Sequence, residues 1–469
     1  MAERSLRIVI VSWHFPPSQE IGGKVVWRLA KHLALLGCDI RVLVAPDSEI
    51  RHRDANYASD LPPGLRVIPT TVESDRVGTM LRFYKRLRGS GKAVTTTGSP
   101  TTATTSAPAA DAAPEAGQLR EFIRSLLAFN YHLRWIKPAA QHLRKALAEE
   151  PADLVLSVSP VFQAHLAVLS AHDDLKGIPW FIWMHDPSAH YFVARGGLTI
   201  LGSNPIGRYI ARRRANWERK AIEKANRLIV TSQGLADAYR ELLPHLRKPL
   251  LVPCGFDIEE SYRASPSRSD KLVFVYVGTI YSQQTPRPII ESLARLMKAG
   301  LFRPEEIEVK FVGRLENEEG RQVLSVAREL GLGDAVTSSP QVPHTEALRI
   351  IADATVGIAM AEQIVTQIPA KMFEYIALRK PVLALADGTT LDLVNENRIG
   401  YACQRDGLDT ALTALISQWR HDKLAVFEPA LEAAAKRYDM ANIAKELLSE
   451  FRDEVAETAR SVTRAEVPA

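Results

Sequence analysis

Four places in the chain set chemically capable side chains beside glycine or proline. The first is IVTQIPAKMFEYIALRKPVLAL, residues 364–385, where Pro369 suits the first turn of a helix and Pro381 opens a short apolar strand. Lys371 falls in that first turn, at the helix end that already carries partial positive charge, which is unfavourable unless an anion lies close. Glu374, three residues on, shares its face and is one such anion; the phosphates of a ligand are another. The second place is FIWMHDPSAHYF, 181–192, where His185 and Asp186 directly follow an apolar run and precede a proline. At the carboxyl end of a strand such a pair can hydrogen-bond phosphate or sugar hydroxyls, although a lone histidine is more often structural. His190 is a secondary candidate.

The third is SWHFPPSQEIGGKVVW, 12–27, where Gly22 and Gly23 open a helix. Glycines there either let a phosphate or sugar approach backbone N–H groups or serve only the turn itself. The segment lacks G-x-G-x-x-G, so it is not the dinucleotide fingerprint. A fourth loop, YVGTIYSQQTPRP at 276–288, offers Thr279 and Arg287 to phosphate, with a plain turn as the alternative. The chain contains no Asp-x-Asp pair to hold a divalent metal on a diphosphate. Lysine, arginine and helix termini would have to neutralise such a ligand instead.

The elements that must position these residues alternate along the chain. RIVIVS, a helical KVVWRLAKHLALLG and IRVLVA make a strand, helix, strand unit, followed by the buried strands LVLSVS, PWFIWM and RLIVTS. A second alternation begins after VPCGFD, with LVFVYVG, VKFVG, TVGIAM and PVLAL as strands. The expected class is α/β, with two doubly wound domains and a cleft between them that would take ligands at the carboxyl ends of the strands. With 469 residues, 46% hydrophobic and 24% charged, the chain has the profile of a soluble protein too long for one core. No apolar run reaches a membrane span and MAERSLR lacks a signal peptide's core, which gives a cytoplasmic expectation. Cys38, Cys254 and Cys403 are scattered, so neither a disulfide framework nor a zinc site is expected.

Residues 93–119 are rich in Thr, Ala, Pro and Ser and read as a disordered insert. The formal charge of +5 is concentrated in RFYKRLRGSGK at 82–92 and RYIARRRANWERK at 208–220. These are either solvated faces or sites for anionic lipid headgroups. The expected boundaries are an N-terminal Rossmann-like domain at 1–257, a C-terminal Rossmann-like domain at 258–430, a helix at 431–453 and a flexible tail at 454–469.

Taken in order, FPPSQEIGGKVVWRLAKHLALLGCDIRVLV, MHDP, VPCGFD, VYVGT and IPAKMFEYIALRKPVLAL resemble the GT-B glycosyltransferases of family 4, the retaining group 1 type. The likeness is particularly to the branch that assembles bacterial polysaccharides and lipid-linked glycans, and it covers nearly the whole chain apart from the insert and the C-terminus. It implies two facing Rossmann-like domains, a nucleotide-sugar donor held mainly by the second, and transfer with retention and without a metal or other cofactor. It further implies that Lys371 contacts the donor diphosphate and Glu374 the ribose, with the backbone of Ala370, Lys371 and Met372 at the phosphates. Gly22 and Gly23 would lie against the donor, His185 would touch the sugar, and the final helix would cross back to the first domain. Acceptors of the lipid-linked or polysaccharide class are implied, and nucleic acid is not.

Two positions depart from the family. Thr366 stands where a glutamate is usual eight residues before Glu374, with Glu362 as a stand-in, and Thr279 follows Gly278 where an arginine and lysine pair is common. These departures support a catalytically silent nucleotide-binding or scaffold protein as the alternative. A dinucleotide-dependent oxidoreductase has only Asp47 in its favour.

Overall fold

Strands such as LVLSV and WFIWM are buried along their whole length, which is the pattern of parallel strands covered by helices on both faces. The computed structural model describes residues 5–18, 20–50, 53, 61–74, 133–195, 205–257, 270–281, 284–315 and 318–465. The basic segment at 82–92 and the low-complexity insert at 93–119 lie outside the described residues. The chain divides into two compact units. One comprises Met1–Thr231, Leu235–Val252 and Ala444–Ala469; the other comprises Ser232–Gly234 and Pro253–Ile443.

The first unit is built on a parallel sheet of β1 (Arg7–Ser12), β2 (Asp39–Val44), β3 (Leu65–Pro69), β4 (Leu154–Val158), β5 (Trp180–Met184), β6 (Arg227–Val230) and β7 (Leu250–Leu251). They run in the order β3-β2-β1-β4-β5-β6-β7. The second unit contains β8 (Leu272–Val277), β9 (Ile307–Val312), β10 (Val336–Ser339), β11 (Val356–Ala361), β12 (Val382–Ala386) and β13 (Gly400–Cys403), ordered β10-β9-β8-β11-β12-β13. Both orders reverse direction beside the first strand of the unit, between β1 and β4 and between β8 and β11. Each unit is therefore a Rossmann-like fold with a topological switch point where ligands bind.

The strands that sequence patterning left out are β3, β7, β10 and β13, each at or next to an edge of its sheet. Their physical signal is weak because only one side or a short stretch is covered: β10 reads VTSS and β7 has two residues. The C-terminal helix Met440–Ala465 continues well past residue 454, where a flexible tail was expected. Met440, Ala444, Leu447, Leu448 and Phe451 form its buried stripe at helical spacing. Within the first unit Phe451 stacks edge-on against Phe181 at 4.9 Å between ring centroids, and the buried Glu454 accepts from Arg247 at 3.0 Å.

Candidate functional site

In the second unit the loops after β8 and β9 need glycine for contact reasons. Gly278 has φ +129 and Gly313 has φ +140, and a Cβ on Gly313 would stand 2.2 Å from the Gly278 carbonyl oxygen. Lys371 reaches over this crossing. Its Nζ sits 3.3 Å from the centroid of the Tyr276 ring and would lie 3.3 Å from a Cβ on Gly278. Tyr276 is itself fixed from its hydroxyl, which lies 2.9 Å from the Thr279 carbonyl and 3.0 Å from Gln284 Oε1, while Gln284 Nε2 donates to the Met360 carbonyl at 3.0 Å. The ammonium thus rests on an aromatic face tied to the tips of β8 and β11.

Helix Lys371–Ala377 is held against the sheet by Tyr375, whose hydroxyl donates to the Ile358 carbonyl at 3.0 Å. Gly357 makes the space: a Cβ there would be 2.5 Å from the Tyr375 ring. Burial brings the Lys371 ammonium down to about 7, with Glu374 partly opposing the shift. A cation this close to losing its proton lacks a full counter-charge, and an incoming anion would restore the charge. Glu374 in turn faces His344, Nδ1 to Oε1 being 3.7 Å.

The segment between β11 and this helix is pinned to the start of helix Gly388–Asn397. The Val365 carbonyl accepts from the N–H of Thr389 at 3.1 Å and from its Oγ1 at 2.9 Å, and the Gln367 carbonyl accepts from Thr390 Oγ1 at 3.0 Å. Thr366 is buried between them. Gln363, at φ +62, donates its N–H to Asp387 at 2.8 Å, and that bond, with a second from Gln404, holds the Asp387 carboxyl below the usual range.

Three expectations meet competing contacts here. Arg287 donates to Glu291 one turn along its own helix at 2.9 Å, an exposed pair that gives it another partner than phosphate. Glu362 is taken by Arg405, with Nε at 2.5 Å from Oε1. The Met372 N–H donates to the Pro369 carbonyl at 2.9 Å, so it is spent inside the helix turn. Ala370 caps that turn in helical geometry, and Thr279 contributes its carbonyl to Tyr276.

In the first unit the glycine pair is explained by packing. A Cβ on Gly22 would come 2.5 Å from Pro160 Cδ, and one on Gly23 would come 3.1 Å from the Phe15 nitrogen. His185 follows β5 directly and its backbone is fully engaged: its N–H donates to Ser159 Oγ at 2.8 Å and its carbonyl accepts from Thr231 Oγ1 at 2.9 Å. Its ring stands edge-on to Trp183, 4.6 Å between centroids, and its Nε2 has no hydrogen-bond partner among the described residues. Burial lowers this imidazole to about 3, so it is neutral at physiological pH. His165 behind it is lowered to about 3 by burial and then by His185, with its Nδ1 2.7 Å from Ser157 Oγ. Asp186 lies half-buried beside His185. The His190 N–H donates at 2.8 Å to Glu218, a fully buried carboxyl raised by burial and opposed by Arg214.

Gln284, His344 and Glu218 were missed from sequence. Gln284 and Glu218 act through partners far along the chain, and His344 meets Glu374 thirty residues away by number alone.

Residues 79–260 match the family described as Glycosyltransferase Family 4, and residues 257–445 match Glycosyl transferases group 1. Among solved structures, sucrose-phosphate synthase from Thermosynechococcus elongatus has a TM-score of 0.62 at 15% identity, over 96% of this chain and 100% of that one. HepE from Anabaena in complex with UDP-glucose has a TM-score of 0.56 at 15% identity, over 97% and 100% of the two chains. WaaG, a glycosyltransferase involved in lipopolysaccharide biosynthesis, has a TM-score of 0.54 at 13% identity, over 94% and 98%. At these identities the likeness is one of fold. No curated protein sequence matches the chain.

Proposed function

Since the chain belongs to the group 1 glycosyltransferases of the GT-B fold, we propose that it moves a sugar from a nucleoside-diphosphate donor onto a lipid-linked or polysaccharide acceptor, with retention and without a metal. The observation that carries the donor reading is Lys371, a half-discharged ammonium set over Tyr276 at the switch point of the second sheet. A diphosphate supplies the missing counter-charge, and Glu374, one helical turn away, accepts from ribose hydroxyls. HepE, solved with UDP and with UDP-glucose, supports a nucleotide-sugar donor by likeness of fold.

The leaving diphosphate, stabilised by Lys371, takes the proton of the incoming hydroxyl on the same face of the sugar. His185 and Asp186 are the first unit's candidates for the sugar, and a neutral imidazole suits a hydroxyl contact. Thr366 and the engaged Glu362 set the donor sugar's recognition apart from the usual paired-glutamate pattern. No helix among the described residues is long and apolar enough to cross a membrane. Helix Pro205–Lys224 exposes Arg208, Arg212, Arg213, Lys220 and Lys224 with Tyr209 at one end, which supports contact with anionic headgroups.

The test is calorimetric titration with UDP, ADP, GDP and NAD, followed by donor hydrolysis assays. Binding of a nucleoside diphosphate that collapses in Lys371→Ala and weakens in Glu374→Gln supports the reading. Tight NAD binding, or nucleotide binding indifferent to Lys371, overturns it.

A further inference from the structure

His344 opens helix His344–Asp353 directly after Pro343 and brings its ring to Glu374. The two side chains are largely covered, at 18% and 14% exposure, and Nδ1 stands 3.7 Å from Oε1. That gap is too long for a direct hydrogen bond, yet one oxygen can lie about 2.8 Å from both atoms. The chemistry of that oxygen is constrained. With the imidazole proton on Nδ1 the ionised carboxylate only accepts and the ring N–H only donates, so the group between them must donate to one and accept from the other. A hydroxyl does both, as does the water it would displace, whereas a C–H, a carbonyl or a phosphate oxygen does not.

We propose that His344 is a specificity-determining residue of the donor site, reading one ribose hydroxyl jointly with Glu374. The proposal rests on the nucleoside-diphosphate reading of this site. Lys371, three residues before Glu374 on the same helix, takes the phosphates, so the hydroxyl read by the pair lies within a few ångströms of an anion, as the ribose hydroxyls of a nucleoside diphosphate do. The remaining carboxylate oxygen is left for the neighbouring hydroxyl. A deoxy analogue leaves the largely covered Glu374 carboxylate short of a donor, which is the condition under which a site rejects a ligand lacking one hydroxyl. A purely structural His344 would act alike on every nucleotide.

The experiment titrates the full-length protein with UDP, ADP and GDP, then repeats the tightest binder as its 2′-deoxy and 3′-deoxy forms, for wild type, His344→Ala and His344→Asn. Wild type is expected to prefer the ribonucleotide over at least one deoxy form by about 10- to 100-fold. His344→Ala should lose most of that ratio, weakening the ribonucleotide while leaving the deoxy form nearly unchanged. His344→Asn, which keeps a donor near the Nδ1 position, should recover part of it, and its melting curve checks that the fold is intact. An unchanged ratio in His344→Ala, or an equal loss for both nucleotides, overturns the role of His344 alone. Failure of wild type to bind any nucleoside diphosphate overturns the donor reading and this proposal with it.

Discussion

At the start of helix Ile21–Leu35 the glycines face protein, and at the tip of β8 Gly278 faces a lysine. Gly22 has no side chain because Pro160 occupies the place where one would go, and the backbone of His185 is tied on both sides to Ser159 and Thr231. The second unit arranges the same kinds of residue to the opposite effect: Gly278 and Gly313 let two loops cross, and Lys371 stands in the opening with its charge partly suppressed. One glycine pair is accounted for by packing alone; the tip of β8 carries a cation left electrostatically incomplete. A glycine pair before a helix is therefore a weak pointer to a ligand, whereas a cation whose burial is not matched by counter-charge is a stronger one.

Lys371→Met should separate the two regions most sharply. Donor turnover is expected to fall by about 10²–10³-fold, the usual effect of removing one group that stabilises developing charge. The ligand-free protein should become more stable, by about 1 kcal/mol, because a functional group strained by burial is gone; denaturant unfolding measures this. A loss of both activity and stability would instead make the lysine structural. Gly22→Ala should show the reverse pattern, losing about 1–3 kcal/mol by crowding Pro160 while nucleotide affinity stays within error.

Acid is expected to act on stability through the first unit. His165 and His185 are lowered to about 3, so between that value and the ordinary 6.5 the unfolded chain binds protons that the native one does not. Stability is complete above about pH 6.5 and should decline as pH falls toward 3. Thermal melts from pH 7 to pH 4 should show this, and a flat profile would contradict the burial of the two rings. The smallest effect belongs to Arg287→Ala. The exposed pair with Glu291 is worth at most about 0.5 kcal/mol, and nucleotide affinity should change by less than about two-fold. A larger loss in affinity would return Arg287 to the phosphate site.

The alternation of strands and helices was legible because the central strands are buried on both faces and read as continuous apolar runs. The edge strands were not, since VTSS in β10 carries no such signal. Lys371 and Glu374 stood out because a lysine in the first turn of a helix conflicts with the local field. Their surroundings did not, because the Tyr276 platform, the Gln284 tether to Met360 and the approach of His344 to Glu374 all join residues distant in sequence. Glu362 shows the same limit, because Arg405, far along the chain, claims it, whereas the partner of Arg287 stands one helical turn away at Glu291 and was in view in the sequence.

The central claim is that Lys371 is discharged by burial and recharged by the phosphates of a nucleoside diphosphate. Calorimetric titration at pH 8, in buffers of different ionisation enthalpy, measures the protons taken up on binding. With the free lysine near 7, wild type should take up about one proton, and the uptake should fade toward pH 6 and vanish in Lys371→Met. Tight nucleotide binding without proton uptake at pH 8, or with the same uptake in Lys371→Met, would contradict the account.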